Sequence, residues 1–326
     1  MMKGIKKSIK NIEIASIDYR DTTFIYTFPV KIEGIIESIK RVGLLNPILL
    51  FEYDNKYKII SGFKRVLACK SLCFDIIDAF VFESGSISEL KAFMIAVYDN
   101  ISIRELNIIE KSIILNKLKN YHNLKYNEII RDFMPLIGLE PNKKLLEDYI
   151  SLSKLDDDLK EHIVNREIPI KILSLIASIS NDKLPLISEL VIKLNLGTNK
   201  IKELVNLIDE ITERDKIDIE RLRSDLNLDS IIKNERMTLS QKWERIVNSL
   251  RRKRFPMWSK IEKKLLRNIS SLALPQNVNL SYPPYLEGDK FRIEMEFSTP
   301  DELKSVGKKL IDISKKEELS EIVKLI

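Results

Sequence analysis

Over the first quarter of the chain, short runs rich in Ile, Val, Phe and Tyr alternate with polar positions, predicting strands at about 12–17, 47–51, 57–61 and 76–82. Helical periodicity is interleaved with them. Residues 31–42 place Ile32, Ile35, Ile36 and Ile39 on one stripe that stops at Gly43, and residues 64–72 turn Val66, Leu67 and Cys69 inward. This predicts a compact α+β unit with a small sheet. From about residue 87 to 233 the pattern becomes almost continuously helical, broken at 138–141, 168–169, 184–185 and Gly197. A third unit begins near Thr238, with helices at about 239–252 and 258–270. Pro275 ends that run, β-like segments follow at 277–282 and 291–297 around a turn with Pro283, Pro284, Gly288 and Asp289, and two short helices close the chain. The expected division is 1–98, 99–235 and 236–326: an α+β domain, an all-α domain, and a basic helical segment with a small mixed αβ region.

Composition agrees with this reading. The 326 residues are 44% hydrophobic and 31% charged with 9 Gly and 11 Pro, a globular and not a fibrous or disordered profile. The net charge of +6 is too small by itself to demand a polyanionic partner, but its distribution is uneven. Between Arg236 and Arg267 eleven Lys or Arg stand against Glu244 and Glu262, a local excess of about +9. Cys69 and Cys73, four apart in one predicted helix, cannot build a disulfide framework and fit a reduced cytoplasm. The first residues are basic without a long apolar stretch, and no segment reaches eighteen uninterrupted apolar residues, so export and membrane insertion are not expected.

Two segments suggest chemistry. Around Gly62, Lys64 and Arg65 a strand runs into glycine and a helix opens with two cations. Unpaired first-turn N–H groups and the helix dipole favour an anion there, and glycine admits a close backbone approach; the alternative is an ordinary strand-to-helix turn with solvated basic residues. Residues 99–110 mix carboxylate, amide and guanidinium before a strong helix. Asn100 and Glu110 have the oxygen chemistry of a Mg²⁺ site and Arg104 can neutralise phosphate, whereas the Asn107–Glu110 spacing equally describes a capping box.

Together these segments resemble the ParB partition family over about residues 12–179. Ser38 to Ile48, with Gly43 and Asn46-Pro47-Ile48, is similar to the family's helix, glycine and Gln-Pro-Ile strand entry. Gly62-Phe63-Lys64-Arg65 looks like its Gly-Glu-Arg-Arg motif. Asp99-Asn100, Leu106-Asn107 and Glu110 look like its Glu-Asn box and the Leu-Asn-Pro-Ile-Glu that follows. The resemblance implies a ParB-like amino-terminal domain that binds CTP with Mg²⁺ and acts as a clamp switch, then a helix-turn-helix domain reading double-stranded DNA in the nucleoid. It implies a homodimer made through the last region and a ParA-type ATPase as partner. Departures bear on turnover: Phe63 stands for the motif glutamate, Asp99 is a shortened carboxylate, and Ile103 takes the place of an arginine that appears one position later as Arg104. The arginine expected near the cytosine-reading segment is absent from 27–30. At most a weak CTPase is expected.

Residues 126–134, a break at 135–141 and residues 142–152 have helix-turn-helix order with a long turn, and Asn142, Lys143 and Lys144 open the second helix where DNA contacts are made. Glu147 and Asp148 face the same region and would repel phosphate. A plain αα-hairpin is the alternative. Arg251, Arg252, Lys253 and Arg254, followed by Phe255 and Trp258, can neutralise phosphates and stack on nucleic acid, or meet an acidic partner. A second function class, a nucleotide hydrolase or phosphotransferase on the same fold, would need Asp99 or Glu110 as acid, base or metal ligand. His122 and His162 are isolated and read as packing or surface residues.

Overall fold

The computed structural model describes residues 7–180, 182–283 and 290–325, without the side chains of Lys7, Trp258, Ser259 and Glu262. The chain forms two compact units, Met1–Val205 and Asn206–Ile326, with the division inside one helix, Thr198–Asp215.

The first unit opens on a five-stranded sheet of β1 (Lys7–Glu13), β2 (Ile17–Asp18), β3 (Ile48–Tyr53), β4 (Lys56–Ser61) and β5 (Ile76–Phe82), in the order β1-β5-β3-β4-β2. β1–β5 and β3–β4 pair antiparallel, β3–β5 and β2–β4 parallel. Because successive side chains of a strand point to opposite faces, β3, β4 and β5 each feed two cores. Ile48, Leu50, Ile59, Ala79 and Val81 pack with Ile39 of α1 (Glu33–Val42) and with Val66, Ala68 and Cys69 of α2 (Phe63–Ser71). Phe51, Ile60 and Phe82 pack on the other face with Phe93 and Val97 of α3 (Glu89–Ile101), and with Ile114 and Leu115 of α4 (Ile108–Asn116).

Three local expectations need correction. The first strand is Lys7–Glu13, not 12–17; full-length pairing of Lys7–Glu13 with Phe82–Ile76 outweighs the higher apolar density after it, which forms a short turn. In α2 Ala68 is buried where Leu67 was expected. Cys73 lies beyond that helix, at a positive φ of 57°, so the two cysteines do not share a helix.

α4 runs on through 117–121 with wider i→i+5 hydrogen bonding, His122 N donating to Lys117 O at 2.9 Å. A helical stretch from α5 (Tyr126–Glu128) to Phe133 follows, then a turn at Pro135–Ile137 ended by Gly138 at φ +71°, and α6 (Lys143–Leu152). The helical run continues with α7 (Asp157–Arg166), α8 (Ile170–Ala177), α9 (Leu184–Lys193) and α10 (Thr198–Asp215).

The second unit holds α11 (Ile219–Asp225), α12 (Leu228–Ile232), α13 (Leu239–Arg254) and α14 (Pro256–Ser271), then the hairpin of β6 (Val278–Ser281) and β7 (Arg292–Met295), then α15 (Pro300–Ser314) and α16 (Glu317–Lys324). Leu265, Leu272, Leu280, Ile313 and Ile322 form a buried cluster toward its carboxy-terminal end. The fold class is the expected one: a mixed-sheet domain, a long helical run and a small αβ end. Of the expected turn between the hairpin strands, Pro283 is described, while Pro284, Gly288 and Asp289 lie outside the described residues. Among the described residues no helix is long and apolar enough to cross a membrane.

Candidate functional site

Where β4 ends, Ser61 is buried and Gly62 takes φ +95°, a conformation open to glycine and strained for other residues. A Cβ at Gly62 would lie 2.7 Å from Ile48 Cγ2 and 3.0 Å from an Arg65 guanidinium nitrogen, so the backbone passes this point only without a side chain. α2 then begins with no side-chain cap on its first N–H groups. Lys64 sits in its first turn. Burial pushes its ammonium below the usual lysine range, opposed by Glu110 and reinforced by the positive charges of Arg104 and Lys31. Such a half-desolvated cation gains from an arriving anion. Arg65 is used differently: its Nη1 donates to the carbonyls of Asn46 (2.5 Å) and Pro47 (3.2 Å), tying the chain after α1 to the helix start.

α3 ends opposite. Asp99 Oδ2 accepts from Ser61 Oγ at 2.5 Å, and Asn100 Nδ2 donates to Ala96 O at 2.9 Å, which leaves the Asn100 amide oxygen for another partner. Glu110, with a side chain only 2% exposed, is fully committed. Its two oxygens accept from Arg104 Nη1 (2.6 Å) and Nη2 (2.8 Å), from Asn107 N (3.1 Å) and from Phe28 N (3.4 Å). Asn107 caps α4 by accepting from the Ile109 and Glu110 amides and donates to Phe28 O at 2.6 Å, so the capping box is present and reaches 79 residues back along the chain.

These elements enclose a cleft of about 440 Å³, a size that suits a small-molecule ligand. Gly62, Lys64 and Arg65 form one side, Asp99, Asn100 and Arg104 another, and Phe24 to Thr27, Gly43 to Asn46 and the α1 face with Gly34 and Ser38 also line it. Five of the six residues expected to hold a nucleotide are thus gathered in one cleft. Glu110 does not line it; its role is to hold Arg104 and to cap α4. Oxygen donors fit for Mg²⁺ are therefore Asp99 and Asn100 of the lining. Ser61 and the carbonyls of Asn46 and Pro47, which no local pattern indicated, join the site through long-range contacts.

In α6, Asn142 is the N-cap, its side-chain oxygen accepting from Leu145 N at 2.9 Å, and Lys143 and Lys144 are exposed. Asp148 accepts from Ser174 Oγ at 2.8 Å and is half-buried, and Glu147 faces solvent. In α13 the basic run is largely occupied: Lys253 pairs with Asp225 and Arg254 with Glu210, each at 2.6 Å, and Arg214 donates to the carbonyls of Lys253 (2.8 Å) and Arg254. Arg252 is exposed and Phe255 lies under Arg254; the Trp258 side chain is outside the described residues. His122 packs against Phe93 and Tyr121, and His162 Nε2 is 2.8 Å from Leu196 O, both packing roles. Among the described residues no group of three or more His, Cys, Asp or Glu is placed to hold a metal.

Residues 2–101 match the ParB N-terminal domain model. The nucleoid occlusion protein of Bacillus mycoides (strain KBAB4) is 23% identical over 189 residues, which cover 57% of this chain and 62% of that protein, so the chain spans under two thirds of this relative's length. Among solved structures, C-terminally truncated ParB from Caulobacter crescentus complexed with CTP-γ-S is 20% identical, covering 57% of this chain and 99% of that one with a TM-score of 0.27. The same protein complexed to the centromeric parS site is 17% identical, covering 60% and 98% with a TM-score of 0.33. The matched span contains all of the cleft lining except Ile103 and Arg104, so the candidate site lies almost wholly in the part of this chain that is similar to the ParB N-terminal domain.

Proposed function

We propose that this chain is a DNA-binding protein of ParB type, serving chromosome or plasmid segregation or regulation, whose hold on DNA is set by a cytidine triphosphate in the cleft. One observation carries the reading: the uncapped start of α2, with Gly62 and the half-desolvated Lys64, faces Asp99 and Asn100 across a single cleft. The amides and Lys64 suit the phosphates. Asp99 and Asn100 would hold a Mg²⁺ ion by oxygen, and the ion would supply positive charge for the phosphates. Residues 1–98, completed by Asp99, Asn100 and Arg104 of the next segment, act as the nucleotide module, 99–235 as the DNA reader and 236–326 as the self-associating part of a homodimer; a ParA-type ATPase is the partner this reading implies. Calorimetric titration with CTP, ATP and GTP plus Mg²⁺, with and without DNA, tests it. Heat with CTP in preference to the others is expected, and no heat with any nucleotide overturns it.

Lys64→Ala should weaken CTP by roughly ten- to a hundredfold, the usual 1.5–3 kcal/mol of a charge-assisted contact, while thermal unfolding stays unchanged. Arg65→Ala should lose affinity and also loosen the Asn46–Pro47 rim, so an equal loss without any structural effect would contradict the hydrogen bonds described.

Hydrolysis is a second reading, favoured by the Ser61–Asp99 contact, since Asp99 is the carboxylate of the lining whose second oxygen can orient water. Glu110 cannot serve, being saturated. Turnover faster than slow leakage in the titration samples would move the protein to the enzyme class.

DNA contacts fall to Lys143 and Lys144 at the start of α6 for register, and to the exposed part of the 236–267 basic region for affinity. Arg252→Ala should weaken binding to all sequences and make the salt slope shallower by up to about 0.9, with stability unchanged. Replacing Arg251, Arg252, Lys253 and Arg254 together should additionally destabilise the second unit, because Asp225 and Glu210 lose their partners. An unaltered salt slope in both would show that the patch does not touch DNA.

A further inference from the structure

We propose that Lys117, at the end of α4, is the positioning residue that sets the 22–27 wall of the cleft; the consequence for nucleotide affinity rests on the reading given above. The wall segment has no regular secondary structure, and Phe24, Ile25, Tyr26 and Thr27 line the cleft. Its aromatic anchors are sunk in the core: Phe24 meets Phe51 edge to face at 5.8 Å, and Tyr26 Oη donates to Ala96 O at 2.9 Å. A turn bond from Ile25 N to Thr22 O at 3.0 Å and a bond from Thr23 N to Asp21 Oδ1 at 2.7 Å shape the backbone locally, and one ammonium ties it to the core. Lys117 Nζ donates to the carbonyls of Thr22, Thr23 (3.1 Å) and Ile25 (2.6 Å), matching its three N–H donors to three acceptors on a segment more than ninety residues away.

Such a lysine is a poor choice if stability were its purpose. Burial pushes the ammonium down to about 8, with only Asp21 opposing, so at neutral pH the fold holds a charge at a cost. Of the other charged and titratable groups nearby, Asp21 and Glu89 pair with Lys58, Tyr121 donates to Glu89, and His122 packs on Phe93 with its buried Nε2 unpartnered. Lys117 also lies where α4 changes to i→i+5 bonding, on the helix whose Ser112 donates to Tyr149 O in α6. The wall is therefore referenced to the helix that also seats α6.

The test uses the full chain with Lys117→Met, Lys117→Gln and Lys117→Arg, read by amide hydrogen exchange and by CTP titration with Mg²⁺. Lys117→Met should raise exchange at residues 22–28 at least tenfold while melting temperature stays the same or rises, and should weaken CTP by about tenfold or more. Lys117→Arg, which keeps the donors, should restore most of both, with Lys117→Gln between. Unchanged exchange at 22–28 in the Met and Gln variants overturns the proposal, as does a melting temperature that falls in step with the loss of protection. If the unaltered chain binds no nucleotide, the nucleotide reading fails, but the exchange result still decides the role of Lys117.

Discussion

Arg104→Ala is expected to cost the amino-terminal unit about 3 kcal/mol of stability, the low end of what removing one partner from a buried ion pair costs. The Glu110 side chain is 2% exposed and takes both guanidinium nitrogens of Arg104 at 2.6 and 2.8 Å, so deleting Arg104 strands a carboxylate with only two amide donors. Water reaches the arginine end, which is 38% exposed, and this keeps the loss from the top of the range. The second substitution Glu110→Gln, which removes the charge and keeps one oxygen for the Asn107 amide while giving up the acceptor of Phe28 N, should recover part of the loss. Urea unfolding of both single variants and the double variant gives the coupling directly. A loss below about 1 kcal/mol for Arg104→Ala would mean that the pair is solvated and that Arg104 is available to phosphate after all.

Gly62→Ala should abolish nucleotide binding, a loss of at least about a hundredfold, and destabilise the unit by roughly 2–3 kcal/mol. Two causes act together. A φ of +95° costs an alanine about 1–2 kcal/mol, and the new methyl would press on Ile48 Cγ2 at 2.7 Å. Ile48 is a fully buried residue of β3 and cannot yield, so the chain entering α2 must shift, moving the amides that face the cleft. Gly34 is the internal control. It lies in α1 on the same cleft, a Cβ there meets nothing within 4 Å, and Gly34→Ala should leave affinity intact and add about 0.5–1 kcal/mol. Equal behaviour of the two variants in titration and melting would remove Gly62 from the site.

The two expectations share a physical basis. A glycine turn and a capping box are local devices that sequence spacing reveals, yet what each does here depends on a distant partner. Gly62 matters because Ile48 and Arg65 occupy the space a side chain would need. Glu110 looks like a metal ligand by residue type, and becomes a structural carboxylate because Arg104 and Phe28 are folded onto it. Lys253 and Arg254 look like phosphate contacts in an unpaired basic run, and are drawn into the second unit by Asp225 and Glu210, twenty-eight and forty-four residues away.

By itself the sequence determined the features that rest on neighbours along the chain. Short runs dense in Ile, Leu, Val, Phe and Tyr locate β3, β4 and β5 to within two residues, because a strand buried on both sides must present apolar side chains to each. The Asn107–Glu110 spacing announces the α4 cap, because N-cap and N3 are brought together by one helical turn whatever surrounds them. Order and spacing of three short motifs point to the ParB-like domain. Tertiary structure alone decided the rest: that β1 begins at Lys7, where β5 offers it a full-length partner; that Ser61 meets Asp99; that Arg65 holds the Asn46 and Pro47 carbonyls; and that Lys117 reaches the wall at Thr22–Ile25. The reason is geometric. Hydrogen bonds and ion pairs between residues tens of positions apart are set by which faces the topology brings within about 3 Å, and a linear pattern carries no record of that approach.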